Sequence, residues 1–579
     1  MVLEPKRLKP TNMAEYLSPG VYVEEFESGL KPMEGVSTST AGFIGMAERG
    51  PISGAPEFVA SFADYQRRFG GYLSENGYGP YRFLPYAIEQ FFLNGGSRCF
   101  IMRVAPSDAK AAASVGEKQV LSITAANPGE WGNKIKVKAR KSSKAKTQII
   151  TAAEGKYTLK TAAGFNEGDI VCVSNGKDVI YNKIVKIMDK VAEFELPFED
   201  KDVVDPSIVP QKILSTCEFD LEVSYENVVE KYEKLSFNIK ASNHVSKKTE
   251  KSDLIKIQVE VGTEVGHPVD IIAGQASDLC TIELAGGSDG SLAKVDAGTF
   301  MGEDKGPGLR TGLQSFIEND RVSIMAIPGV TIPAVQLALV AHCENLASRF
   351  AILDIPMDKV KVTDVQTHRD ILDSSYAAMY HPWVEVFDML DKKGTYIPPS
   401  GSIAGIYARS DTQRGVHKAP ANEGVKGCTG LSSLYNKAEQ DILNPAGVNL
   451  IRALPGKGIQ VWGARTCSSD GSWKYVNVRR LFIFVEESIK ANTSWAVFEP
   501  NDEMLWARVG RTIGSFLTTM WRNGALAGTT EDQAFFVNIG RETMTQDDIL
   551  NGRLICMIGI APVRPAEFVI FRITQKMEE

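Results

Sequence analysis

The stretch from Arg321 to Pro356 places the tightest limit on what this chain can fold into. It reads "RVSIMAIPG", then "AVQLALVAHCENLAS", then "RFAILDIP". The outer two segments are short and almost continuously apolar, and the middle one has helical spacing. Strands that are apolar on both faces and alternate with helices predict a largely parallel sheet covered on both sides. "SYAAMYHPWVEVF" continues the series. Nearer the start, "TAGFIGMAERGP" reads as a strand ending in a Gly-Pro turn and "SFADYQRRFGGY" as a short helix stopped by glycines. "YRFLPYAIEQFFLNGG" reads as an apolar helix and "RCFIMRV" as a buried strand. The expected class is α/β, mixed with α+β elements.

That pattern breaks near Ala105. From 106 to 280 lysines and β-branched residues dominate, and "WGNKIKVKA" and "EFDLEVSY" read as two strands of one sheet. Between them, short alternating runs split by "SNGK" and "MDK" predict a small β-barrel at about 143–215, nested in a β-rich insertion. A chain of 579 residues exceeds one core, so several domains are expected. The division is an extended N-terminal arm at 1–25, a first core part at 26–105 and the insertion at 106–280. An α/β domain follows at 281–440, a C-terminal domain at 441–565 and a terminal arm strand at 566–579. Residues 394–430, rich in Gly and Pro, read as an ordered loop.

Several function classes are disfavoured. The net charge is −7, whereas a general nucleic-acid binder needs a basic face. No apolar run approaches 18 residues, so no membrane span is expected, and the first residues lack the apolar core of a secretory signal. The eight cysteines are scattered without a CxxC pair, which fits reduced thiols, and the six histidines never form HxH or HExxH, so no metal site is expected. "GPGLRTG" and "GKGIQVWG" match neither dinucleotide nor phosphate-loop spacing, so no cofactor is expected. "GGSDG" at 286–290 has the spacing of a nucleophile elbow around Ser288. An elbow needs a helix directly after the serine, and "SLAKVDAGTFMGEDKG" is broken by Gly298 and Gly302. A serine hydrolase using Ser288 is the distant alternative, and a Gly-rich turn the simpler reading.

The helix predicted at 502–523 is more informative. Asn501 can cap it, and Leu505, Val509, Ile513, Phe516 and Met520 form an apolar stripe. Arg508, Arg511 and Arg522 lie on the far side, either as a solvated face or as a surface for an acidic partner. Ala507, Gly510 and Gly514 make a smooth third face. At the end of the chain, "AEFVIFRITQ" leaves both faces of a strand apolar. Phe568 and Ile570 lie on one face with Arg572, and Val569, Phe571 and Ile573 on the other. A terminal edge strand of that kind is an aggregation hazard unless something covers both faces.

Eight stretches taken together resemble the contractile tail sheath family. They are "LSPGVYVEEFESG", "TSTAGFIGMAERGP", "FFLNGGSRCFIMRV", "SYAAMYHPW", "IPPSGSIAGIYARSDTQRGVHKAPANEG", "LNPAGVNLIRALPGKGIQVWGARTCSSDGSWKYVNVRRL", "VFEPNDEMLWARVG" and "APVRPAEFVIFRITQ". They occur in the family's order and cover roughly 17–105 and 281–575. Residues 106–280 resemble it only around "ANPGEWGNKIKV".

The resemblance implies a structural, non-enzymatic subunit that stacks in six-membered rings around an inner tube and contracts to drive that tube through an envelope. Its implied partners are other copies of itself, the inner tube protein, and baseplate and terminal cap proteins, with no nucleic acid and no direct membrane insertion. Assembly is implied in a bacterial cytoplasm, as part of an injection particle or a phage virion tail. "EGVSTSTAGFIGMAERGP" and "NGGSRCF" look closest to the phage-like injection-system branch, with the sheath of a contractile-tailed bacteriophage as the alternative. Arms in this family add strands to neighbours' sheets. On this chain that role falls to Val21, Tyr22, Val23, Glu24 and Glu25, and to Phe568, Val569, Ile570, Phe571, Arg572 and Ile573. Contact with the inner tube falls to Arg508, Arg511 and Arg522.

Overall fold

A computed structural model describes residues 33–114, 121–153, 155–174, 179–196, 198, 213–259, 265–568 and 570. Its centre is a nine-stranded sheet in the order 57–59, 99–104, 41–46, 324–326, 350–354, 377–381, 448–454, 458–461, 423–424. The six strands from 99–104 to 448–454 are parallel, and the strands outside them are antiparallel. Ala41–Met46, Cys99–Val104, Phe350–Asp354 and Ala377–His381 are buried at every position. Alternate side chains enter two separate cores. Phe43, Ile101, Ile352 and Tyr380 enter one, and Ile44, Met102, Leu353 and Met379 the other. Both faces therefore exclude water, which is why these strands are apolar without alternation.

The segment 394–430 departs from its reading as a loop. Ser400–Arg414 is a 15-residue helix, and all but one of its first eleven residues are buried. A helix buried on nearly all sides has no polar stripe to mark its period. Its glycines serve contact with helix Leu84–Leu93. A Cβ on Gly401 would stand 2.4 Å from the Ala87 carbonyl oxygen, and one on Gly405 would stand 2.4 Å from that of Phe91. Ahead of strand 324–326, "GLQSFIEND" forms a 3-10 turn at Gly312–Phe316.

Between strands 99–104 and 324–326 of the central sheet, the chain builds a seven-stranded sheet in which 136–142 pairs with 218–225. Between those two strands it builds a closed six-stranded barrel, with strands from Lys146 to Thr216. Lys144 stands at the barrel's root, 2.8 Å from Asp169 and 3.4 Å from Glu218, both nearly fully buried. The seven-stranded sheet is fastened to the central one by Arg103. This buried guanidinium donates to the carbonyls of Ala47 at 2.8 Å, Gly50 at 3.2 Å and Pro128 at 2.8 Å. The Tyr225 hydroxyl donates to Glu48 at 2.9 Å across the same joint. A buried charge fully supplied with acceptors fixes the joint, because any displacement strands it.

The C-terminal part packs two long helices, Val476–Thr493 and Glu503–Arg522, with an antiparallel pair of strands, Phe535–Ile539 and Cys556–Ile560. Asp502, not Asn501, caps the second helix, its side chain accepting from the Leu505 amide at 2.9 Å. Asn501 instead accepts from the Trp506 indole at 2.7 Å. Adjacent Asn and Asp are near-equal caps, and the Trp506 contact decides between them.

Candidate self-assembly surfaces

The first surface is the strand pair Phe535–Ile539 and Cys556–Ile560. Phe535, Val537, Ile539, Ile558 and Ile560 pack into the core beneath helix Glu503–Arg522, while Phe536 and Met557 on the other face are half exposed. Among the described residues these strands pair only with each other, so both outer edges present unpaired backbone groups. The helix covers the apolar inner face of the pair, as a two-stranded sheet requires for stability, and leaves the two edges open to further strands.

Helix Val476–Thr493 fixes the second feature, the points where the described chain begins and ends. At its far end the Asn492 side chain donates to the Glu34 carbonyl at 2.8 Å, and the Val36 amide donates to Ser488 at 3.1 Å. Two turns back, Arg480 reaches the Thr38 carbonyl at 3.0 Å while paired with Asp411 at 2.6 Å, both side chains nearly fully buried. At the start of the helix, Asn477 donates to the Val563 carbonyl at 3.1 Å and the Tyr475 hydroxyl to Glu567 at 3.1 Å. Glu567 also accepts from Asn444 at 2.7 Å and twice from Arg465. Burial opposes ionisation of Glu567, but these donors outweigh it and hold its carboxyl below the ordinary glutamate value. Immediately beyond, Phe568 and Ile570 are 71% and 79% exposed, and neither lies in a strand. The anchors at the two exits, Asn477 and Asn492, stand about 15 residues apart on one helix, about 23 Å at 1.5 Å per residue.

Val21–Glu25 lie outside the described residues, as do Val569, Phe571, Arg572 and Ile573. Leu505, Val509, Ile513, Phe516 and Met520 are buried as one stripe, and Arg508, Arg511 and Arg522 are exposed on the opposite side. Arg508 lies over the Trp495 ring at 4.1 Å, and Arg511 turns back to the Ala507 carbonyl at 3.2 Å. Among the described residues none of the three pairs with a carboxylate. Gly510 of the smooth face lies against Ile539, whereas a Cβ on Gly514 would meet open space.

Sequence reasoning did not single out Glu567, since its main partner is 102 positions away. The one available signal was a lone carboxylate immediately before an apolar run.

Ser288 sits in a turn. Its amide and carbonyl exchange 2.9 Å bonds with Lys110, and its hydroxyl accepts from the Gly290 amide at 3.1 Å. Strand Leu279–Ala285 precedes it, but only the 3-10 turn Leu292–Lys294 follows closely. The helix that would aim a nucleophile is missing. Among the described residues no cluster of three His, Cys, Asp or Glu side chains could hold a metal ion, and no helix is long and apolar enough to cross a membrane.

Comparison with known proteins agrees with this architecture. Residues 302–467 match the phage tail sheath protein central domain, and residues 468–576 match the phage tail sheath C-terminal domain. A putative prophage major tail sheath protein of Pseudomonas aeruginosa is 26% identical over 48% of this chain and 73% of its own length. The tail sheath protein of Escherichia phage P2 is 25% identical over 46% of this chain and 67% of its own length. The fold is similar to that of a sheath protein from an extracellular contractile injection system whose structure was solved in the contracted state, with a TM-score of 0.51 over 98% of this chain and 99% of that one, at 21% identity. The chain belongs to the contractile tail sheath family. That family is structural and not enzymatic.

Proposed function

We propose that this chain is a sheath subunit that polymerises as stacked six-membered rings around an inner tube and contracts to drive the tube through a target envelope. The open-edged strand pair 535–539 and 556–560 carries the reading. It is a helix-backed pair of strands with both edges open, and it can be extended by strands from other copies. The apolar C-terminal strand, with Phe568, Ile570 and Arg572 on one face and Val569, Phe571 and Ile573 on the other, is the donor on one side. Val21–Glu25, with Val21 and Val23 on one face and Tyr22 on the other, is the donor on the second side. Because the two exits stand at opposite ends of helix Val476–Thr493, the arms reach different neighbours. Such contacts do not close on themselves and generate a helical array.

Arg508, Arg511 and Arg522 face the inner tube. Unpaired, solvated arginines make contacts worth about 1 kcal/mol or less each, weak enough to break together when a sheath expands. Baseplate and cap proteins bound the array at its ends, and assembly takes place in a bacterial cytoplasm. The stretches 34–51 and 94–100 favour a phage-like injection system. The phage and prophage names of the curated relatives support the other branch, a phage virion tail.

Ile570→Pro tests the reading. It removes a ladder donor without touching a core. The variant is expected to remain a folded, soluble subunit that forms no arrays by electron microscopy. Arrays of normal length that contract contradict strand donation.

A further inference from the structure

At the carboxyl end of the central sheet, strand Ala377–His381 leads into a hairpin, Val384–Asp388 against Lys393–Ile397. Its tip is apolar and exposed: Phe387 at 57%, Met389 at 62% and Leu390 at 47%. The tip is also preformed. Asp388, itself buried, accepts from the Tyr86 hydroxyl at 2.7 Å and from the amides of Leu390 at 2.8 Å and Asp391 at 3.3 Å. Tyr86 belongs to the core helix Leu84–Leu93, so the turn is braced from within. Large apolar side chains held rigidly in water mark an interface whose ordering cost is already met.

At the opposite end of the same sheet lies a cavity of about 380 Å³. Phe58, Phe100, Val322, Ile483 and Phe484 line it, and its charged residues balance, Asp320 and Glu487 against Arg98 and Arg321. It also includes Thr40, Arg98, Ser323 and Ser348, which precede or open the parallel strands 41–46, 99–104, 324–326 and 350–354. Val36 and Thr38 form part of its wall, so it adjoins the point where the N-terminal arm leaves. Knob and cavity are thus separated by the length of the parallel strands and sit at opposite poles of one body. One chain cannot join its own two poles, whereas two copies in the same orientation can.

We propose that the hairpin tip Phe387–Leu390 of one copy seats in this cavity of the next. Phe387 and Met389 meet the aromatic lining. Lys392 approaches Asp320, and among the described residues neither has another ion-pair partner, whereas Glu487 is held by Lys490 at 3.3 Å. A contact between different patches on identical subunits propagates head to tail. It therefore adds a body-to-body contact to the mesh of arms. The proposal rests on the sheath reading and names a surface that the arms do not use.

The test is a Met389→Cys/Ser348→Cys double variant, assembled, checked for arrays by electron microscopy and treated with a short bismaleimide. The double variant is expected to give a ladder of covalent multimers on a denaturing gel, absent from either single variant and from the parent with its native cysteines. Arrays that form without a ladder overturn the proposal and leave the sheath reading standing. A ladder from Met389→Cys alone overturns it in favour of tip-to-tip contact. A parent chain that forms no arrays overturns the sheath reading and the proposal with it. In parallel, Phe387→Ser/Met389→Ser is expected to keep the parent's melting temperature and lose array formation. Unchanged arrays from that variant also overturn the proposal.

Discussion

Arg465 grips Glu567 with two parallel hydrogen bonds, 2.8 Å from Nε to Oε1 and 2.7 Å from Nη2 to Oε2. The arginine side chain is 7% exposed and the glutamate 18%. The pair sits one residue before the exposed Phe568, so it fixes the chain at the root of the proposed C-terminal arm. A planar, two-pronged contact sets direction as well as position, which a lysine could not do.

Glu567→Ala is expected to leave the central sheet folded and to loosen residues 561–567 by about 1–3 kcal/mol, the range for hydrogen bonds to charged groups. Hydrogen exchange of that segment measures it. Because the Glu567 carboxyl is held below the ordinary glutamate value, the contact is complete above about pH 4.3 and is lost as pH falls through the lowered value. Exchange in 561–567, corrected for its intrinsic rate, should therefore rise in acid for the parent and not for the variant.

Gly405→Ala is expected to destabilise the subunit by at least about 1–3 kcal/mol, as overpacking does, because its Cβ would stand 2.4 Å from the Phe91 carbonyl oxygen. Gly514→Ala is the control. Its Cβ meets open space, so the helix should gain about 0.5–1 kcal/mol. Denaturant unfolding of the two variants should move in opposite directions.

The barrel should be dispensable for polymerisation. Its flanking strands are already neighbours, with Ser142 opposite Glu218 in register. A short Gly/Ser linker in place of 146–215 can close that gap, and keeping Lys144 leaves buried Glu218 its partner. Arrays by electron microscopy are the expected outcome. Aggregates alone would show that the barrel supports the folding of the rest.

Arg511→Glu/Arg522→Glu is expected to leave subunit stability within about 0.5 kcal/mol, as exposed substitutions do, and to abolish co-sedimentation with inner tubes. Arg508→Glu should cost a further 0.5–1 kcal/mol or so through its stack on Trp495. Parent binding should weaken with added salt.

The central sheet was legible because strands such as "RFAILDIP" are buried on both faces and carry no competing pattern. The helix Ser400–Arg414 was not, because nearly complete burial erased its polar stripe and its glycines, there for contact with helix Leu84–Leu93, looked like turn residues. The apolar stripe and opposed arginines of Glu503–Arg522 were readable from spacing alone, whereas the choice of Asp502 over Asn501 as cap depended on Trp506. Glu567 and the braced tip at Asp388 escaped notice because their partners, Arg465 and Tyr86, are about 100 and 300 positions away. Periodicity reports what a segment buries, and contacts at such range leave no local mark.

The most direct measurement is a cryo-electron microscopy map of the assembled array, resolved well enough to trace the backbone from Glu567. The account predicts that residues 568–573 leave their own subunit and continue as a strand hydrogen-bonded to an open edge of 535–539 or 556–560 in a neighbour. Residues 568–573 lying along their own subunit, or a strand pair 535–539 and 556–560 with both edges still bare in the array, would contradict it.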